Sequence, residues 1–314
     1  MTAPVLVVGA GIGGIATAIW LRDLDIDFDW VEASATIGGT LLRVGNPIDE
    51  LPGYPALDGP ALVARYREQL EGFGRAPRFH QRVTRLSPTT AGAVEVVFED
   101  GGDAVVYAAV ILCTGTTPRL LSLPHEQELL GRGVELSVTR NRDRYAGQKV
   151  AVVGGGDAAL EGVILLTEVC DEIHLIHRRS QFRGQRRFVE QVLEHPSVTL
   201  HLESEVDAIL PADNQLGGVR LSNGITLAVR GLFVRLGVSP SYPEGLLDNA
   251  PNTCPRYLPD TAEGRGPLPG TYVVGDVGTS THQSVAWAMG SAARAVATVC
   301  RDLGFHSHSM SPDD

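Results

Sequence analysis

The sequence predicts an α/β protein, and three stretches predict it. "PVLVVGAGIGGIATAIWLRDLDIDFDWVEAS", residues 4–34, reads as an apolar strand, a glycine turn, an apolar helix and a second strand. "KVAVVGGGDAALEGVILLTEVCDEIHLIHRR", residues 149–179, repeats that order. "TYVVGDVGTSTHQSVAWAMGSAARAVATVCRDL", residues 271–303, is a strand that meets Gly-Asp and then a long helix. Together they read as two Rossmann-like dinucleotide-binding domains, the second inserted into a discontinuous first. The boundaries fall at residues 1–116 and 244–314 for the first domain and 117–243 for the second.

Bulk properties agree with this class. The chain has 314 residues, 43% hydrophobic and 20% charged, room for two ordinary globular domains. A net charge of −11 weighs against nucleic acid as a partner. No apolar run reaches the roughly 18–20 residues that a membrane span needs. The start enters a strand almost at once, without the basic region of a signal peptide. The four cysteines, Cys113, Cys170, Cys254 and Cys300, have no C-x-x-C or zinc-site spacing, so no metal is expected and a reduced, cytoplasmic setting fits. Cys113, Cys170 and Cys300 sit in apolar surroundings and read as core; Cys254 reads as the most exposed.

In the first unit, Gly9, Gly11 and Gly14 satisfy G-x-G-x-x-G between a strand at 5–8 and a helix with Ile15, Ala18, Ile19 and Leu21 on its apolar positions. Gly9 permits the tight turn, Gly11 the approach of a pyrophosphate, and Gly14 close packing of helix on strand. The helix N-terminus then turns a positive dipole towards the phosphates. Glu32 ends the second strand where a carboxylate accepts from ribose hydroxyls, the arrangement suited to FAD. Gly38-Gly39-Thr40 forms a turn able to pass close to a flavin. A helix follows in "DGPALVARYREQLEGF", with Asp58 as cap and Pro60 in the first turn. Residues 79–112 alternate as short strands, and "CTGTTPR" brings Thr114 and Gly115 back to the nucleotide.

The second unit differs where it matters chemically. Gly154, Gly156 and Ala159 hold the three fingerprint positions, but the next strand ends in His177-Arg178-Arg179, with Arg183 beyond. A carboxylate there repels a 2′-phosphate, whereas guanidinium groups grip it in bidentate fashion. The site therefore suits NADPH. Arg186 and Arg187 read equally as ligands or as a solvated helix face. Strands follow at "VTLHLES", "GGVRLSNG", "ITLAV" and "GLFVRLG". In the last segment Asp276 is placed to hold a polyol hydroxyl, and the helix after it points its N-terminus at the flavin.

These landmarks, with "GGTL", "LPGYP", "GRGV", "HLIHRRSQFR" and "GLFVRLGVSP", make the chain resemble the low-molecular-weight thioredoxin reductases over nearly its whole length. The resemblance implies a homodimer that binds FAD and NADPH. It places the FAD contacts on Gly9, Gly11, Gly13, Gly14, Glu32, Gly39, Thr40, Asn46, Thr114, Gly115, Gly275, Asp276, Ser284 and Val285. It places the NADPH contacts on Gly154, Gly155, Gly156, Asp157, Ala158, His177, Arg178, Arg179 and Arg183. It also puts the family's C-x-x-C on Ser137-Val138-Thr139-Arg140, where both cysteines are replaced. A serine hydroxyl has no disulfide chemistry, so the route from flavin through a dithiol to thioredoxin is closed.

Where the family commonly reads Arg-Gln-Ala beside the flavin, this chain has Gln283-Ser284-Val285 after His282. His282 is a candidate proton donor, or equally a helix-start residue. The expected activity is NADPH-dependent reduction of an external acceptor at the flavin, with ferredoxin or flavodoxin foremost. Such reductases carry a flavin-covering aromatic near the C-terminus, for which Phe305 and His306 are candidates. The acidic net charge argues against an acidic ferredoxin unless arginines dominate locally. A small disulfide or quinone-like substrate is the second reading. A regulatory flavin-binding protein with little turnover is the third.

Overall fold

The structure, a computed structural model, describes residues 4–49, 51–54, 57–247, 256–281 and 283–305. It divides into two compact units, residues 1–117 with 239–314 and residues 118–238. Both are α/β with a central parallel sheet.

In the first unit β1 (Val5–Val8) turns into α1 (Ile12–Asp23) and β2 (Phe28–Val31). After α2 (Gly59–Glu71) come antiparallel β3 (Val83–Pro88), β4 (Val94–Phe98) and β5 (Val105–Tyr107), and then β6 (Ala109–Leu112). A crossing strand, β7 (Thr116–Pro118), leads out. The second unit runs through β8 (Val134–Glu135), α3 (Val138–Asn141), β9 (Lys149–Val153), α4 (Asp157–Thr167), β10 (Glu172–His177), α5 (Arg186–Glu194) and β11 (Val198–Leu202). It closes with antiparallel β12 (Val206–Ala212), β13 (Gln215–Leu221) and β14 (Thr226–Leu227), and then β15 (Gly231–Val234). A second crossing strand, β16 (Val238–Pro240), returns to β17 (Thr271–Val273) and α6 (Val285–Leu303). The parallel sheets have the orders β17-β6-β1-β2 and β11-β10-β9-β15-β8.

The alternation of side chains along β1 builds two cores at once. Val5 and Val7 pack with α1, α2 and α6, whereas Leu6 and Val8 pack with the β3-β4-β5 sheet. β9 does the same: Val150 and Val152 meet α4, and Ala151 and Val153 meet β12-β13-β14. All of these positions are buried, as a parallel sheet covered on both faces requires. α2 starts as its sequence indicates, with Asp58 Oδ1 accepting from the Ala61 N–H at 2.8 Å and a proline in the first turn.

The second crossing lies earlier than the sequence boundary at 243/244, because Val238–Pro240 pairs with Thr116–Pro118. β12 and α5 were not separated from their neighbours in the sequence, and β8 has only two residues, too few to show a period. No helix among the described residues is long and apolar enough to cross a membrane.

Candidate functional site

The first unit holds a cavity of about 670 Å³ at the C-terminal ends of its parallel strands. It is lined by the glycine turn, Glu32, Gly38 to Val44, Cys113 to Thr117, Gly275, Asp276 and Gln283 to Val285. Gly9, at φ +105°, abuts the Cys113 carbonyl, and a Cβ there would come within 2.5 Å of its oxygen. A Cβ on Gly14 would stand 1.9 Å from the Gly9 carbonyl oxygen, so this glycine is fixed by packing of helix on turn. Gly13 is similarly confined by Val274. Gly11 is different. It caps α1 with an extended backbone, and a Cβ added there meets no protein atom within 4 Å. Neither conformation nor protein packing requires glycine at that point, which faces the open cavity.

Glu32 braces this turn. Its Oε2 accepts from the Ala10 N–H at 2.6 Å and its Oε1 from the Ser34 N–H at 2.7 Å. Each oxygen keeps a further lone pair for a ribose hydroxyl. Gly39, at φ +51°, sets the Gly38–Thr40 turn against Gly11. Thr114 Oγ1 is buried against the cavity without a hydrogen-bond partner, which a bound polar group would satisfy. Ser284 caps α6, its Oγ accepting from the Trp287 N–H at 3.1 Å, and Val285 is buried behind it. Gly275 bends at φ +74° and presents Asp276. These features fit a flavin dinucleotide.

Asn46 does not line the cavity, and neither does Phe305, which packs onto the α1–α6 core just after the left-handed cap Gly304. His282 and His306 lie outside the described residues. The sequence reading missed Arg43, Arg82, Thr116 and Ser241 in the wall. A cation shortly after the Gly-Gly turn was the signal available for Arg43.

Burial pushes the Asp276 carboxyl up to about 6. The protonated form is favoured in the folded chain, so this group's stabilising contribution is full below the ordinary carboxylate range and lost as pH rises through about 6. A polyol that donates to the carboxylate reverses the preference. FAD affinity is therefore expected to fall as pH drops below about 6, and Asp276→Asn to flatten the profile, as read by flavin fluorescence titration. A pH-independent wild-type affinity would remove Asp276 from the site.

In the second unit the sheet order changes direction between β9 and β15, the crevice where dinucleotides bind in open parallel sheets. Gly154, at φ +149°, abuts the Arg235 carbonyl; a Cβ there would reach 2.5 Å from its oxygen. Gly155 lies under the His177 ring, 2.3 Å from any added Cβ. Gly156 caps α4 with an extended backbone, and its Cβ direction is empty, as at Gly11.

Arg178, Arg179 and Arg183 line one pocket of about 500 Å³ together with Phe182 and Glu203. None of the three forms an ion pair among the described residues. A cluster of unneutralised guanidinium groups fits a phosphate dianion. Arg186 and Arg187 lie outside it; Arg186 pairs with Glu190 at 2.6 Å and Arg187 stacks on Phe188.

Asp157 and His177 act on the loop. Asp157 Oδ1 accepts from the Gln185 N–H at 2.6 Å, tying the arginine loop to the start of α4. His177 is buried, stacks on Phe182 and bonds the Gln181 carbonyl through Nε2 at 3.0 Å. Burial, together with Arg179, Arg183 and Arg178, lowers its pKa, so it is neutral at pH 7 and adds no charge to the pocket.

The segment after β8 is held by a polar network. Glu135 is buried and accepts from Tyr145 Oη at 2.7 Å and from Asn141. Ser137 is buried, its Oγ 3.3 Å from Thr139 Oγ1, and Arg140 is exposed. Val138 packs onto Gly162 of α4.

This pairing of two glycine-turn units defines a nucleotide-dependent oxidoreductase architecture, and comparison places the chain within it. The chain belongs to the pyridine nucleotide-disulphide oxidoreductase family, whose profile matches residues 3–292. It is 30% identical over 296 residues to a thioredoxin reductase of Streptomyces coelicolor, covering 91% of this chain and 89% of that one. It is 29% identical over 288 residues to a thioredoxin reductase of Treponema pallidum, covering 90% and 91%. In fold it is similar to the crystal structure of Lactococcus lactis thioredoxin reductase, with a TM-score of 0.78 at 24% identity over 97% of this chain and 100% of that one.

Proposed function

We propose that this protein is an NADPH-dependent FAD flavoprotein that passes electrons directly to an external acceptor, ferredoxin or flavodoxin in the first place, and not through a dithiol to thioredoxin. One observation carries the reading: a chain of this family contains no C-x-x-C, and Ser137 and Arg140 stand where the resemblance places it. When bound, the two dinucleotides supply hydride donation from the nicotinamide and electron storage in the flavin. The chain's own residues do the rest. Gly11 and Gly156 leave room for the two pyrophosphates, Glu32 and Asp276 hold hydroxyls, and Arg178, Arg179 and Arg183 select the 2′-phosphate. We read the protein as a cytoplasmic homodimer, on the cysteine usage and the resemblance respectively.

Charge favours keeping a second reading. The first unit carries 12 basic and 22 acidic side chains, the second 14 and 15. The acidity is thus concentrated on the unit with the flavin cavity. An acidic protein donor or acceptor is repelled there at low salt, whereas a neutral quinone or small disulfide is not. Arg140 and Arg144, exposed on the nearly balanced second unit, are the local cations an acidic carrier would use, whereas Arg142 is paired with Glu168.

The test is anaerobic mixing with NADPH, which is expected to bleach the flavin within seconds. Cytochrome c reduction that requires added ferredoxin supports the first acceptor; turnover with quinones or disulfides alone supports the second. Rapid reduction of thioredoxin would overturn the reading, and an unbleached flavin would leave the regulatory alternative.

A further inference from the structure

Arg235 directly follows β15, at the point where the second unit's sheet order changes direction. Its backbone is fixed there: its N–H donates to the Val153 carbonyl at 2.8 Å, and its own carbonyl lies against Gly154. Its side chain runs over the sheet edge towards β8. Nη1 donates to the Leu136 carbonyl at 2.7 Å and Nε to the Ala158 carbonyl at 3.2 Å. Both partners are neutral, and the guanidinium forms no ion pair among the described residues. Burial lowers its pKa, with Glu161 only partly offsetting the loss of water. A guanidinium has five N–H donors, and two are used here. A half-buried cation with spare donors is suited to take an anion.

We propose that Arg235 is a dinucleotide-binding residue that grips the nicotinamide-side phosphate of NADPH while fastening the Leu136–Asn141 segment to α4. The placement follows from topology. In such a sheet the pyrophosphate sits at the switch point, the adenosine half lies over the first strands and the nicotinamide half over the strands beyond the switch. β9, β10 and β11 carry the arginine pocket on the adenosine side. β15 and β8 lie on the other side, and Arg235 bridges their ends. The phosphate is the one anionic group on that half of the cofactor. Two cationic grips then act at separate places: Arg178, Arg179 and Arg183 on the 2′-phosphate, and Arg235 across the helix start.

The inference rests on the NADPH reading of this unit, and the test separates the two. Binding of NADP⁺ and of 2′,5′-ADP, which lacks the nicotinamide-side phosphate, is measured by calorimetry on the FAD-loaded protein and its Arg235→Ala and Arg235→Lys variants. Arg235→Ala is expected to weaken NADP⁺ by roughly ten- to a hundredfold, the loss of one charge-assisted contact, and to leave 2′,5′-ADP within about twofold. Arg235→Lys, which keeps the charge, is expected to recover part of the NADP⁺ affinity. NADPH and NADH KM values are expected to rise by the same factor in Arg235→Ala. Equal weakening of both ligands would mark Arg235 as structural only, and unchanged NADP⁺ binding would remove it from the site; either overturns the proposal. Wild-type protein that binds neither ligand overturns the dinucleotide reading and the proposal with it.

Discussion

Gly11→Ala is expected to fold and to be isolated without FAD, and Gly156→Ala to keep FAD but lose reduction by NADPH. Both glycines cap their helices with an extended backbone that alanine adopts freely. In both, the added methyl group meets no protein atom within 4 Å. The folded chain alone therefore loses little. The methyl group instead enters the space through which a pyrophosphate must approach the helix N-terminus. Displacing the phosphate from the helix N–H groups, or overpacking against it, costs about 1–3 kcal/mol, roughly ten- to a hundredfold in affinity. Loss of dipole alignment adds to this. Gly14→Ala is the contrast, since its Cβ would lie 1.9 Å from a backbone oxygen. That variant is expected to be destabilised with or without flavin. Thermal melting, flavin absorbance and anaerobic NADPH titration of the three variants separate the outcomes. Gly11→Ala purifying with full flavin content would sink the assignment of the first cavity.

The repeated strand–turn–helix units were legible because their determinants are local. Apolar runs buried on both faces, glycine spacing and the Asp58 cap each act within a few residues. The roles of individual site residues were less legible, because they depend on partners distant in sequence. Asp157 falls within the fingerprint, yet its carboxylate is engaged by Gln185, 28 positions on. His177 looked like part of the basic cluster, yet its neutral ring lies over Gly155. Arg235 gave no sequence signal at all. Only the sheet order brings the end of β15 between β8 and α4.

The segment around Ser137 and Arg140 shows the same limit from another side. In sequence, Ser137 and Arg140 stand where the resemblance places the family's C-x-x-C. In the structure the surrounding residues are tied to one another and to α4. Glu135, Asn141 and Tyr145 satisfy one another in a buried network, and Val138 fits the space left by Gly162. A buried carboxylate persists only when its lone pairs are satisfied, so the segment is built to stay where it is.

Replacing Arg178 and Arg179 together by alanine is expected to raise the KM for NADPH by about a hundredfold or more while changing that for NADH by less than about threefold. A charge-assisted hydrogen bond contributes roughly 1.5–3 kcal/mol, and two such bonds, allowing for coupling between neighbours, give at least about 3 kcal/mol. At about 1.4 kcal/mol per decade this exceeds two orders of magnitude. Both guanidinium groups line the pocket beyond β10, one strand out from β9 on the side away from β15, and on the NADPH reading the effect is confined to the 2′-phosphate. Arg183 remains to hold residual affinity, since its own N–H is anchored to the Gly155 carbonyl at 2.8 Å. Arg186→Ala, outside the pocket and already paired with Glu190, is the control and is expected to leave both KM values unchanged. Steady-state kinetics with the two cofactors measures the ratio directly. A double variant that loses NADPH and NADH equally would mean that these arginines organise the loop and do not read the phosphate. The Arg235 variants are predicted to behave in that cofactor-blind way, so the two sets of substitutions together map which half of the dinucleotide each cation holds.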